Sequence, residues 1–171
     1  MLIDRNNETL AINLMFGLIL AFGVIAIIVG WMFNSLKIAL LSLIPNILPL
    51  LLVTTVMWFA GIDLKISTSL IFTLAFGIAV DDTIHFLSKY RQELLLNDMN
   101  IKISVIKALK ETGVSMIYTS VVLFFGFGVF MISNFGGTQA LGMLVAMTLL
   151  IAMLSNLVVL PALLLTLEKS I

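Results

Sequence analysis

"LAINLMFGLILAFGVIAIIVGWMF" occupies residues 10–33, and no charged side chain interrupts it. The uncharged stretch reaches from Thr9 to Leu36. At about 1.5 Å per residue, ~20 apolar residues cross the hydrocarbon core of a bilayer. The stretch therefore reads as a transmembrane helix. The rest of the chain repeats the pattern. Of its 171 residues, 61% are hydrophobic and only 11% are charged. A soluble domain carries about 25% charged residues, so lipid is the expected solvent.

Working outward, Lys37 ends the first run and residues 38–62 form a second. "PNILP" (Pro45 to Pro49) interrupts it. Two prolines four apart remove two backbone donors and are expected to kink the helix. Asp63 and Lys65 close that span, and a third runs over about 66–87. Residues 112–167 are again uncharged. That length suits two crossings, over about 114–132 and 140–165, with "SNFGGTQ" (133–139) as the turn between them. The expected fold is all-α: a polytopic membrane bundle of five transmembrane helices in a single domain over 1–171.

The stretch between spans three and four is the charged one. In "MNIKISVIKALKE" (99–111), Ile101, Val105, Ala108 and Leu109 share one helical face, while Lys102, Lys107 and Lys110 lie off it. The reading is one amphipathic interfacial helix over about 99–111, lying on the membrane surface. With that loop cytoplasmic, Lys37, Lys89, Arg91, Lys102, Lys107, Lys110 and Lys169 lie inside, and only Arg5 and Lys65 outside. The positive-inside rule then places the N-terminus outside and the C-terminus in the cytoplasm. The first residues, MLIDRNNET, lack the basic region of a signal peptide. A chain that starts outside without an export signal is expected to be the membrane part of a longer polypeptide, or to assemble with another.

Several classes are excluded on composition. Net charge is zero, which gives no electrostatic footprint for nucleic acid. There is no cysteine and one histidine, so no metal site and no cofactor is expected. Gly126, Gly128, Gly17 and Ala21 read as helix-packing positions.

Span three carries the chemistry. "FGIAVDDTIHFLSKY" (76–90) places Asp81, Asp82 and His85 in an apolar helix. A charged Asp at the centre of a membrane helix costs about 2.5–3.5 kcal/mol on insertion scales. Such residues are by default functional, inward-facing and partnered. Ser69, Thr73, Gly77, Asp81 and His85 follow one another at intervals of four, forming a polar, small-residue ridge along which another helix can pack closely. Asp82 points about 100° away from Asp81, so one carboxylate can face one neighbour and the second another. Adjacent carboxylates titrate as a coupled pair, which suits a proton carrier that is protonated in one conformation and charged in another. His85, one turn nearer the cytoplasm, extends a relay toward the inner surface. Its alternative reading is a solvated histidine at the interface, just as the aspartates could be wetted helix-end residues. Candidate hydrogen-bond partners are Tyr118, Thr119 and Ser120 in span four, and Ser155 and Asn156 in span five.

"GIAVDDTIHFLSKYRQE" (77–93), preceded by "LIPNILPLLL" (43–52) and followed by "ALKETGVSMIYTSVVLFFGF" (108–127) and "NLVVLPALL" (156–164), resembles the resistance-nodulation-division (RND) superfamily. The resemblance is to its MMPL-like, predicted-exporter branch and, more distantly, to sterol-sensing-domain proteins. It covers nearly the whole chain, and the ordered combination carries it. It implies the five-span block that follows an external domain in one half of such a transporter, in a bacterial inner membrane. It also implies a transporter rather than an enzyme, exporting lipids or other hydrophobic molecules on the proton-motive force. Asp81 and Asp82 match the family's proton-coupling acids. The implied partners are membrane lipid, protons, and the other half of the transporter or a second copy of the chain. Asn156 stands where the resemblance would allow an acid, so no titratable role falls on it.

Two other classes compete. An intramembrane aspartyl protease needs facing acids, usually from different helices; here both lie on one helix and no other span has one. A non-transporting lipid-binding or scaffold membrane protein of the sterol-sensing type remains the alternative.

Overall fold

A computed structural model describes residues 2–62 and 66–168. Asp63, Lys65 and Lys169, used above to close span two and to count charges, lie outside the described residues. Every described element is helical. α1 covers Leu2–Phe33, α2 Leu36–Phe59, α3 Ile66–Leu96 and α4 Ile101–Gly128. A short 3₁₀ turn, Val129–Ile132, precedes α5 (Gly136–Leu154). A π-helical turn, Ser155–Val159, joins α5 to α6 (Leu160–Glu168). Among the described residues, five helical stretches are long and apolar enough to cross a membrane, with α5, the π turn and α6 acting as one. The chain is a multi-pass membrane protein.

α3, α4 and α5 pack mutually, and α2 lies against α3, α5, α6 and the π turn. α1 is peripheral and packs on α2 and α3. Phe22 meets Phe76 edge-on at 4.7 Å between ring centroids, and Phe33 stacks on Tyr90 at 5.8 Å, tying α1 to α3. Ile25 and Val29 are buried beside these contacts, while the outer face of α1 is bare: Phe16, Leu20, Ile27 and Trp31 are all exposed. In lipid this costs nothing, because acyl chains are as apolar as the side chains they meet.

The expected surface helix is not a separate element. Residues 99–111 do not lie apart from span four, because α4 runs unbroken from Ile101 to Gly128. No proline falls within it, and Asn100 caps its start by accepting from Ile103 N at 3.0 Å. The stripe that looked membrane-facing is instead packed into the protein. Val105 and Ala108 are fully buried, with Ser104 and Thr112 beside them, on the side of α4 that meets α3. α3 likewise continues past residue 87 to Leu96. Its 31 residues span about 46 Å, against a hydrocarbon core of ~30 Å. The last turns of α3 and the first of α4 thus form a hairpin that projects beyond the apolar slab. Asp98 and Met99, both in the left-handed region at φ 49° and 62°, make its tip.

The glycines read as packing positions behave differently. A Cβ on Gly17, Gly126 or Gly128 would meet nothing within 4 Å. The close approach occurs at Gly142 of α5, where a Cβ would fall 2.7 Å from Phe130 Cβ and 2.8 Å from the Phe127 carbonyl oxygen. Only glycine allows the turn after α4 to lie that near α5.

Candidate functional site

Two prolines and a π turn build the polar centre of the bundle. Pro49 has no N–H, so the carbonyl of Pro45, four residues earlier, loses its helical donor. Ser155 Oγ supplies one, donating to Pro45 O at 2.9 Å. The π turn that carries Ser155 closes with Leu160 N–H donating to Ser155 O, one residue longer than an α turn. The extra residue directs Ser155 and Asn156 together into the protein, where both are buried.

There Asn156 meets α2 and α3. Its Nδ2 donates to Ala79 O at 3.0 Å, and its Oδ1 lies 2.8 Å from Thr83 Oγ1. Asn46, between the two prolines, donates from Nδ2 to Ser42 O at 3.0 Å and turns Oδ1 toward the same hydroxyl at 3.1 Å. Thr83 is therefore the shared donor for α2, its own helix at Ala79 O, and the π turn. Asn46, Thr83 and Asn156 are completely buried. Sequence reasoning missed Asn46 and Thr83. Their signal was present, since an amide between two prolines in an apolar span needs partners as surely as a carboxylate does.

On the next face of α3 lie the acids. Asp82 is buried at 8% exposure, and Asp81 and His85 are exposed. All three line one cavity of about 300 Å³, walled on the α4 side by Ser115, Met116, Thr119 and Leu123. His85 also lines a second cavity of about 280 Å³, with Ser88, Lys89, Gln92, Glu111 and Thr112. The two cavities follow the α3–α4 seam from the aspartates to the charged hairpin, about 16 Å of helix rise from Asp81 to Gln92. At that end Lys89 pairs with Glu93 at 3.0 Å and with Glu111 of α4 at 2.6 Å. Lys107 reaches Asn97 Oδ1 at 2.7 Å.

Of the expected partners, the structure brings only Thr119 to the aspartates' cavity. Its hydroxyl donates back to the carbonyls of Ser115 and Met116. Tyr118 is 70% exposed and does not line the cavity, and Ser120 is buried elsewhere. Asn156 bonds to Thr83 and Ala79 O rather than to an acid. Among the described residues no hydrogen bond or ion pair reaches Asp81, Asp82 or His85. Along the ridge, Thr73 and Gly77 are exposed, and a Cβ on Gly77 would meet nothing within 4 Å. Ser69 Oγ is buried without a partner. The close helix approach expected at Thr73 and Gly77 is thus not made by any described helix of this chain, whereas the Ser69 hydroxyl oxygen is covered.

The MMPL family model matches residues 3–170. The chain belongs to the MMPL family. This is a family of transporters of the RND type rather than of enzymes. No curated protein matches the chain.

A third cavity is apolar. It has about 620 Å³ between α1, α2 and α3, with Leu14, Phe22, Leu50, Met57 and Phe72 among its walls. The Thr54 hydroxyl on its wall donates to Leu50 O at 2.8 Å, so its proton is already engaged.

Proposed function

We propose that this MMPL-family chain is the membrane module of a proton-driven exporter of lipids or other hydrophobic molecules, with Asp81 and Asp82 as the proton-coupling site. The observation that carries the reading is one cavity lined by both carboxylates and His85, meeting at His85 a second cavity that runs to the charged hairpin. A buried acid with no fixed partner can change its charge without breaking an ion pair. A change of charge on Asp82 alters how α3 packs against α4, and that movement is what a proton gradient can drive. His85 connects the two cavities and relays protons toward the cytoplasmic end.

The exposed ridge of Thr73, Gly77, Asp81 and His85 is the face on which the other half of the transporter, or a second copy of the chain, would pack. The membrane is a bacterial inner membrane, with the N-terminus outside and the α3–α4 hairpin in the cytoplasm. The cavity between α1 and α2 supports a hydrophobic cargo. It equally favours the second reading, a lipid-binding scaffold that transports nothing.

Efflux of the lipophilic dye Nile red from cells expressing the full chain separates the two. The exporter reading expects dye accumulation to fall on expression, and the effect to vanish with a protonophore or in Asp81→Asn/Asp82→Asn. No fall in accumulation on expression would leave the scaffold reading in its place, and a fall untouched by the protonophore and by the double substitution would remove the proton-coupling role of the aspartates.

A further inference from the structure

Away from the proton site, the junction of α1 and α3 holds a pocket of mixed character. Arg91 of α3 and Ile28, Trp31 and Met32 of α1 enclose a cavity of about 440 Å³. The Arg91 guanidinium sits over the Phe33 ring, 5.8 Å from its centroid. No carboxylate pairs with Arg91 among the described residues. Glu93 faces Lys89 and Lys107 instead, and Glu111 faces Lys89.

The depth of the pocket is fixed by the chain. The apolar run of α1 ends at Phe33, and Lys37 follows within four residues. Trp31 is 88% exposed on the peripheral helix, where an indole ring at a membrane–water boundary belongs. A cation at headgroup level, with an apolar wall that leads along α1 into the bilayer, matches a lipid whose phosphate is anionic and whose chain is hydrocarbon. A free phosphate would use Arg91 and leave Ile28, Trp31 and Met32 facing it without purpose. A neutral or zwitterionic lipid would use the wall and gain little from the unpaired guanidinium.

We infer that the Arg91–Trp31 pocket is a binding site for an anionic phospholipid, with the guanidinium on the headgroup phosphate and an acyl chain along Ile28 and Met32. Arg91 supplies the positive charge that attracts the phosphate oxygens, and the Phe33 ring lies beneath its guanidinium. The site is independent of the proton reading, because it needs neither aspartate.

The chain has two tryptophans, Trp31 and Trp58. Trp58→Phe therefore leaves Trp31 as the only reporter. The full chain in mixed vesicles is titrated with phosphatidylglycerol or phosphatidylcholine carrying brominated acyl chains, and quenching of Trp31 is read. One cation near a lipid surface corresponds to about a fivefold preference for the anionic lipid. That preference is expected in the Trp58→Phe protein, should weaken as salt rises, and should fall toward one in Arg91→Gln. Arg91→Lys keeps the charge and should retain most of it. Equal quenching by the two lipids would overturn the assignment whether or not any Arg91 variant folds. So would a preference unchanged in Arg91→Gln, or one lost in a folded Arg91→Lys. Millimolar inorganic phosphate should not displace the lipid; if it abolishes the preference, the site is one for free phosphate and the lipid assignment fails.

Discussion

Residues 81–83 of α3 place two kinds of intramembrane polarity side by side. Thr83 faces the interior, is fully buried, and meets three acceptors on α2, α3 and the π turn. Asp82 and Asp81, one and two positions earlier, face the α4 seam, line open space and meet no donor among the described residues. Both sets are costly in lipid. The groups of the Thr83 set lie within bonding distance of one another around its single hydroxyl proton, and they tie three helices together at one depth. The aspartate set has no such partner among the described residues, and an unsatisfied ionisable group held in a cavity is the kind that exchanges protons. The contrast teaches that polarity within a span is not one signal: the hydrogen-bond partners decide whether it is structural or chemical.

The largest expected effect breaks the chemical side alone. Asp81→Asn/Asp82→Asn should reduce Nile red efflux to the level of protonophore-treated cells, while circular dichroism in detergent shows unchanged helicity. Loss of helicity instead would mean that the acids are structural, and the contrast would collapse.

The converse change strikes the structural side. Thr83→Val keeps the shape but removes the shared donor, leaving the Asn46 and Asn156 amide oxygens buried without it. Leaving buried polar groups unsatisfied costs about 1–3 kcal/mol, to be read as a lowered midpoint in denaturant unfolding from detergent. Thr83→Ser restores the hydroxyl, and its midpoint should return most of the way to wild type. A Val variant as stable as wild type would show that the three helices do not depend on this donor.

The smallest effect belongs to the hairpin. Glu111→Gln removes one partner of Lys89, but Glu111 is 59% exposed and Lys89 keeps Glu93. An exposed pair contributes about 0–1 kcal/mol, so the unfolding midpoint should barely move. A large drop would mean that the hairpin carries stability assigned here to the buried centre.

The fold was legible wherever charge was absent. The uncharged runs at 10–33, 38–62 and 112–167 mark spans because a bilayer tolerates few charges, and 133–139 marked the turn between α4 and α5. The ends of α3 and α4 were not legible. An amphipathic face reads alike whether it covers lipid or another helix, and only the burial of Val105 and Ala108 against α3 tells them apart. In the candidate site, Asp81, Asp82 and His85 stood out because ionisable residues are rare in such helices. Asn46 and Thr83 did not, because their roles depend on a π turn more than 70 residues beyond Thr83 in the chain. That turn rotates Asn156 away from the acids it was expected to serve. Tyr118 and Thr119 are adjacent in sequence, yet one faces outward and the other the cavity, a distinction fixed only by the rotation of α4.

Proton coupling requires Asp82 to bind and release a proton within the membrane. Infrared difference spectroscopy between acid and alkaline pH, on the chain reconstituted in lipid, reads that proton at the carboxyl C=O stretch without knowing the cargo. The wild type should show a titrating carboxyl band that disappears in Asp82→Asn while the amide I band stays unchanged. Identical carboxyl difference spectra for the two proteins would contradict it.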